Sequence, residues 1–240
     1  MTAINKDVIM PLALAARPAP FALSAGECAM LVIDMQNEFG SRGGMFDRAG
    51  IDIAPIRATI APTAAVLTCA RAAGIPIVYL QMQHRADLAD LGPPDSAHHM
   101  RHRFLSVGDT ITLPDGRTNR ILIEGHWGTE IIAGLAPEPG DIVLPKHRFS
   151  GFFQTPLEAI LRAQGVRQLL VTGCTTSICV ESTIRDAMFR DFQCCLLEDC
   201  CAEPIGHANS RSNHEASLLT IQTLLGWVSD SKSLIATLAA

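Results

Sequence analysis

Residues 169–185, L-L-V-T-G-C-T-T-S-I-C-V-E-S-T-I-R, decide the fold. An apolar run gives way to Ile178, Ser182 and Arg185 at helical spacing, which predicts a strand, a tight turn and a helix. Cys179 falls in the first turn of that helix. Unpaired backbone N–H groups and the positive end of the helix dipole there favour thiolate over thiol, which makes Cys179 a candidate nucleophile.

Outward from this stretch the chain repeats one pattern. Residues 29–35, A-M-L-V-I-D-M, form an apolar run broken at Asp34 and followed by a Gly-rich loop, the mark of a buried parallel strand and its carboxyl end. Residues 51–73 carry apolar side chains at helical spacing, with Pro55 and Pro62 marking a start or kink, and 75–80 make a second strand. A third strand over 141–145 has Lys146 immediately beyond it. Strands over 168–172 and 194–197 follow, then a helix over 207–225, and the tail predicts a last short strand and helix. In open parallel sheets ligands sit beyond the carboxyl ends of the strands, so Asp34, Lys146 and Cys179 are expected at one edge. Singly, Asp34 could cap a local turn, and Lys146 could be an exposed lysine. Together they specify nucleophilic chemistry. An ammonium favours the thiolate, and a carboxylate can take the thiol proton and return it to a leaving amine. Gly173 frees the backbone, and the N–H groups of Thr175 and Cys179 can face a developing oxyanion. Such a site splits an amide through a thioester.

Length and composition set the frame. The 240 residues suit a single α/β domain, 48% hydrophobic content is ordinary for a globular protein, and a net charge of −5 gives no footprint for nucleic acid or anionic lipid. Eight cysteines in apolar runs, two pairs of them adjacent, read as reduced and buried rather than as a disulfide framework or zinc ribbon. Residues 1–26, interrupted by prolines, read as an irregular arm with neither a signal peptide nor a membrane span, so the cytoplasm is expected. Residues 81–125 read as an inserted lid or interface segment, with a hairpin at Pro114-Asp115-Gly116 and no clear helix. The histidines at 98, 99 and 102 match no recognised ligand spacing and are expected to be solvated or at an interface.

The motifs V-I-D-M-Q-N-E-F, L-P-K-H-R-F-S-G-F and V-T-G-C-T-T-S-I-C-V-E-S-T-I-R-D-A resemble those of the isochorismatase-like cysteine hydrolases, over residues 29–228. The resemblance implies a Rossmann-like, open six-stranded parallel sheet with helices on both faces. It also implies an Asp34–Lys146–Cys179 triad, a cis peptide before Thr175, an oxyanion hole at the Thr175 and Cys179 N–H groups, and a homo-oligomer, either dimer or tetramer. By analogy of position Phe39, Trp127 and Phe152 line the pocket. G-D-I-V-L-P-K, S-G-F-F-Q-T-P-L and C-V-E-S-T-I-R-D resemble the ureide-cleaving branch, whose substrates are of ureidoacrylate, biuret or triuret type. Met82 stands where the ureidoacrylate pattern has Asn. Nicotinamidases of the family bind metal through D-x-H after the second strand. Here the residues are Q-M-Q-H-R, so neither a required metal nor any other cofactor is expected. Other small amides (N-carbamoyl amino acids, maleamate, nicotinamide) are the alternative substrates. A nucleotide- or flavin-binding domain lacks support, since no G-x-G-x-x-G follows the first strand, and a non-catalytic subunit would be expected to have lost a triad residue.

Overall fold

The computed structural model describes residues 11–206 and 212–239. Among the described residues ten strands lie in chain order: β1 Leu12–Leu14, β2 Phe21–Leu23, β3 Cys28–Ile33, β4 Ile77–Met82, β5 Thr110–Thr112, β6 Thr118–Arg120, β7 Ile142–Lys146, β8 Gln168–Cys174, β9 Gln193–Ala202 and β10 Trp227–Ser229. The helices are α1 Asn37–Gly40, α2 Met45–Arg48, α3 Ala54–Ala58, α4 Ile60–Ala72, α5 Ala97–Phe104, α6 Leu157–Ala163, α7 Glu181–Met188, α8 Asn213–Thr220 and α9 Ser231–Leu238.

Six strands pair in the order β10-β9-β8-β3-β4-β7, every pair parallel, so the expected sheet is present. β3 lies at its centre and is buried along its whole length, which is why C-A-M-L-V-I carries no polar side chain. Alternate residues feed two cores. Met30 and Val32 pack on one face with Val66, Leu67 and Leu234 from α4 and α9. Ala29, Leu31 and Ile33 pack on the other with Leu157, Leu161, Ile184 and Ala187 from α6 and α7. Each such aliphatic side chain contributes about 1.5–3 kcal/mol on burial. The cysteine pairs obey the same alternation: Cys195 and Cys200 face one core, Cys194 and Cys201 the other, and all eight thiols are unpaired.

Parallel register sets the site. Ile33 pairs with Gly173 on one side and Leu80 on the other, and Met82 pairs with Lys146, so four strands end at one level. Gly173 has φ +122, and a Cβ there would overlap the Ile33 carbonyl, so no other residue fits this close approach.

Several local expectations are corrected. The arm over 1–26 is not irregular where it is described: β1 and β2 form an antiparallel hairpin that buries Leu14, Phe21 and Leu23, and Arg17 bridges to Val228. Residues 1–10 lie outside the described residues. The helical segment over 51–73 is two helices that meet at Thr59, with Pro55 in the first turn of α3. Residues 127–135 hold two 3-10 turns, Trp127–Thr129 and Ala133–Leu135. Lys146 is the last residue of β7 rather than the first beyond it. Of the helix expected over 207–225, residues 207–211 lie outside the described residues, and α8 starts on Ser212, whose hydroxyl accepts from Glu215 N at 3.3 Å. Within 81–125 the hairpin β5–β6 is present, but so is α5, which was not expected. Its sequence, A-H-H-M-R-H-R-F, offers no aliphatic stripe. Ser96 caps it, accepting from His99 N at 3.2 Å.

Candidate active site

Asp34 follows the carboxyl end of β3 with φ +54, a left-handed conformation that Asp adopts more readily than most side chains. Its N–H is fixed by the Leu80 carbonyl at 2.9 Å and its carbonyl receives Gln36 N at 2.8 Å. Lys146 reaches across from β7, and its Nζ donates to Asp34 Oδ2 at 2.7 Å and to the Arg148 carbonyl at 3.2 Å, with Met82 Sδ at 3.6 Å. Both residues are 1% exposed, so the ion pair stands in a low-dielectric interior where a lone charge would be costly. The other carboxylate oxygen, Oδ1, is buried and meets no hydrogen-bond partner among the described residues. The Cys179 thiol bears on both Asp34 and Lys146.

Cys179 is carried by a π-helical turn, Thr176–Val180, that follows the cis peptide between Cys174 and Thr175 and leads into α7. The Thr175 carbonyl accepts from Ile178 N at 3.0 Å and Val180 N at 3.2 Å, so the wider closure passes over the Cys179 N–H. Glu203, buried after β9, accepts from Ser177 N at 3.1 Å and Ser177 Oγ at 2.6 Å, and Thr176 Oγ1 meets His214 Nδ1 at 2.9 Å. These contacts brace the turn from behind.

The electrostatics reverse one expectation. Burial pushes the Cys179 thiol up; Lys146 opposes this, and the Asp34 carboxylate adds to it. Resting Cys179 is therefore a thiol, because desolvation outweighs what a helix start and a neighbouring ammonium supply. Burial likewise raises Asp34 above the ordinary carboxylate range, although Lys146 pulls the other way. Burial alone would lower Lys146, but Asp34 and Cys179 carry it above its ordinary value. The resting charges are one carboxylate and one ammonium, with the proton on sulfur.

Asp34, Cys174, Thr175 and Cys179 form the floor of a cleft of about 820 Å³, walled by Phe39, Phe46, Leu122, Phe149 and Ile178 among others. Lys146 stands behind this floor. Of the expected pocket aromatics the structure brings Phe39 to the cleft. Phe152 is buried in the core against Phe192, ring centroids 5.8 Å apart, because the loop after β7 turns Phe149 to the cleft and Phe152 inward. Trp127 is not among the described residues that line the cleft; its carbonyl accepts from Asn37 Nδ2 at 2.9 Å.

The roof was the part that sequence reasoning missed. Gln36 Nε2 donates to the carbonyls of Met82 and Thr129 at 2.8 and 3.0 Å, while its Oε1 accepts from Met82 N at 2.7 Å. Glu38 Oε2 accepts from Met45 N at 2.6 Å, and Oε1 from Asn119 Nδ2 at 3.0 Å and Leu122 N at 3.2 Å. Burial raises the Glu38 carboxyl, and those three donors oppose the rise. The signal was present in Q-N-E, three polar residues directly after a buried strand. The histidines are not solvated either. His102 is buried and His98 half-buried, their ring centroids 3.9 Å apart, and both pack on Phe149. His84, fully buried at the side chain, joins them. Burial and the neighbouring His102 push His84 down to about 4 against the pull of Asp90, and burial with His102 and Arg148 pushes His98 down to about 3.

An open parallel α/β sheet with an acid, an ammonium and a thiol gathered at its carboxyl edge defines a domain of the cysteine-hydrolase type. The chain belongs to the isochorismatase family, whose Isochorismatase domain matches residues 28–233. It is 41% identical to ureidoacrylate amidohydrolase RutB of Variovorax paradoxus over 219 residues, which is 91% of this chain and 84% of that protein. The corresponding protein of Methylorubrum extorquens strain AM1 is 39% identical over 227 residues, 95% of this chain and 89% of its own. Among solved structures, a cysteine hydrolase from Pseudomonas syringae pv. phaseolicola superposes with TM-score 0.77 at 26% identity, covering 95% of this chain and 97% of its own. N-carbamoylsarcosine amidase from Thermoplasma acidophilum gives TM-score 0.62 at 28% identity, over 85% of this chain and 96% of that one. Among the described residues no helix is long and apolar enough to cross a membrane.

Proposed function

We propose that this protein is an amidohydrolase that cleaves a carbon–nitrogen bond of a small linear ureide, with Cys179 as nucleophile, Asp34 as proton carrier and Lys146 as the fixed countercharge. The observation that carries the reading is the buried Asp34–Lys146 pair bearing on Cys179 at the floor of the cleft. The relatives named ureidoacrylate amidohydrolase support the substrate class.

The chemistry follows from the charges. As the thiol attacks the carbonyl carbon, its proton passes to Asp34, whose raised basicity suits it to receive one. Lys146 then pairs with the new thiolate instead of the carboxylate, so no net charge is created in the buried site. The oxyanion forms against the N–H groups of Thr175 and Cys179. The carbon–nitrogen bond breaks as Asp34 gives its proton to the departing ammonia or amine, leaving a thioester. Asp34 next takes a proton from water as that water attacks the thioester, and the expelled thiolate recovers the proton.

Phe39 is the pocket residue of this reading, and Phe149 lines the same cleft. Eight unpaired cysteines support a reducing cytoplasmic setting. Exposed Phe189, Leu219 and Leu224 offer apolar surface for the homo-oligomer this reading includes.

The test is ammonia release from ureidoacrylate, biuret, triuret, N-carbamoyl amino acids, maleamate and nicotinamide. Turnover of one of the first three above the rest is the expected result; turnover of nicotinamide alone would refute the ureide assignment. The likeness to N-carbamoylsarcosine amidase favours N-carbamoyl amino acids as the second reading.

A further inference from the structure

We propose that Arg101 is a specificity-determining residue that holds a carboxylate at the end of the substrate remote from the bond that breaks. The proposal rests on the ureide reading above and narrows it to anionic ureides.

Three observations carry it. First, Arg101 is placed for the task. Arg101 and Phe104 stand three apart on α5, and Leu105, which ends the helix, stands four from Arg101, so the three share one face. All three line the cleft whose floor carries Cys179. Second, Arg101 is uncommitted. The Asp and His side chains of the same lining are engaged: Asp34 with Lys146 at 2.7 Å, Asp52 with Ala54 N at 2.9 Å, and His102 through Nδ1 with the His98 carbonyl at 2.7 Å. The exposed Arg101 guanidinium has neither a hydrogen bond nor an ion pair among the described residues. Arg103, two positions on and so turned to another face, pairs instead with Asp109 at 3.0 Å. Third, the walls above the floor are poor in donors. The side chains of Phe39, Phe46, Ile51, Met82, Leu122 and Phe149 carry none. A carboxylate entering such a cleft gives up water, and a planar guanidinium can return donors to both of its oxygens at once. Arginine keeps its charge across the working pH range, so this selection of an anion needs no titration in the cleft.

Among the small amides considered above, the proposal favours ureidoacrylate, N-carbamoyl amino acids and maleamate. Biuret, triuret and nicotinamide carry no carboxylate and are disfavoured.

The experiment pairs ureidoacrylate and N-carbamoylglycine each with its methyl ester, which keeps the ureide and loses the charge. Full-length parent, Arg101→Gln and Arg101→Lys are compared by ammonia release for kcat and KM. Calorimetric Kd is read on the Cys179→Ala background, where no turnover intervenes. The expected parent result is that at least one acid binds about tenfold or more tighter than its ester, the low end for a charge-assisted hydrogen bond. Arg101→Gln should raise KM and Kd for that acid by about tenfold, with kcat near parent and the ester unchanged, and Arg101→Lys should recover part of the loss. Because Arg101 is exposed, added salt should weaken the acid and leave the ester alone. Parent affinity that is equal for acid and ester, binding of neither acid, or an equal loss for acid and ester in Arg101→Gln would each overturn the proposal. The ureide reading fails on a different readout: a parent that binds the acid in preference to the ester yet releases no ammonia sinks that reading and leaves the role of Arg101 standing.

Discussion

The carboxyl edge of the sheet and the 81–125 insertion face each other across one cleft, and they are held by different means. At the edge, strand register fixes the backbone, and Asp34, Lys146 and Cys179 arrive together because Ile33, Met82 and Gly173 pair in line with their neighbours. In the insertion β5, β6 and α5 follow the last two residues of β4, and the polar side chains of Gln36 and Glu38 reach the segment at Met82, Asn119 and Leu122. On the proposed reading, chemistry falls on the part of the molecule that strand register fixes, and the insertion supplies part of the cleft wall. Substitutions in the two regions should accordingly fail differently: edge variants lose rate and keep affinity, whereas insertion variants lose stability and affinity before rate.

The largest effect should come from the edge. Cys179→Ala is expected to lower kcat on a ureide by at least about a thousandfold, as removal of a nucleophile does, with the circular dichroism spectrum unchanged. Near-parent turnover in a folded variant would break the assignment. Asp34→Asn should cost at least about a hundredfold in kcat, the lower range for a general acid–base group, measured on the same substrate. Acidity gives the same residue an independent check. Burial holds Asp34 above the ordinary 3.8, and only its ionised form accepts the thiol proton, so kcat/KM should fall as pH drops through that raised value. Lys146, held above 10.5, stays charged across the neutral range and adds no alkaline limb there.

Glu38 tests the clamp. Glu38→Ala strands three buried or partly buried donors, each worth about 1–3 kcal/mol if left unmet, and urea unfolding should show a loss of at least that size with KM rising more than kcat falls. The sign of its pH dependence is also fixed. A carboxyl raised on folding favours the folded state most below its unfolded value of about 4.3, and that contribution is lost as pH rises through the folded value. Glu38→Gln should flatten this slope in unfolding curves taken across that range. The smallest effect compares two aromatics on one loop. Phe149→Leu should change KM, whereas Phe152→Leu should leave KM alone and cost about 1 kcal/mol or somewhat more in stability, since only Phe149 borders the cleft. Equal effects on KM would erase the distinction between wall and core.

What could be read from the sequence follows the same division. Buried parallel strands announce themselves as apolar runs, so the ends of β3, β7 and β8, and with them the three candidate catalytic residues, were legible from one chain. The β5–β6 hairpin was legible through Pro114-Asp115-Gly116. Helix α5 was not, because the face it buries is made of His98 and His102, and imidazoles carry no periodic apolar signal. The ionisation of Cys179 was misread because a helix start predicts a lowered thiol, while the depth of burial that overrides it depends on how the whole cleft floor packs. Phe152 and Phe149 differ by three positions in one loop, and which of them turns outward is decided by tertiary packing alone.

The clamp made by Gln36, Asn37 and Glu38 grips almost nothing but main chain. Its partners are the amide or carbonyl groups of Met82, Leu122, Trp127, Thr129 and Met45, with Ser41 and Asn119 the two side chains among them. A fastening that recognises peptide groups is indifferent to the residues that bear them. On the proposed reading, side chains of the roof can therefore be exchanged without its being refastened. The catalytic edge beneath it has no such freedom.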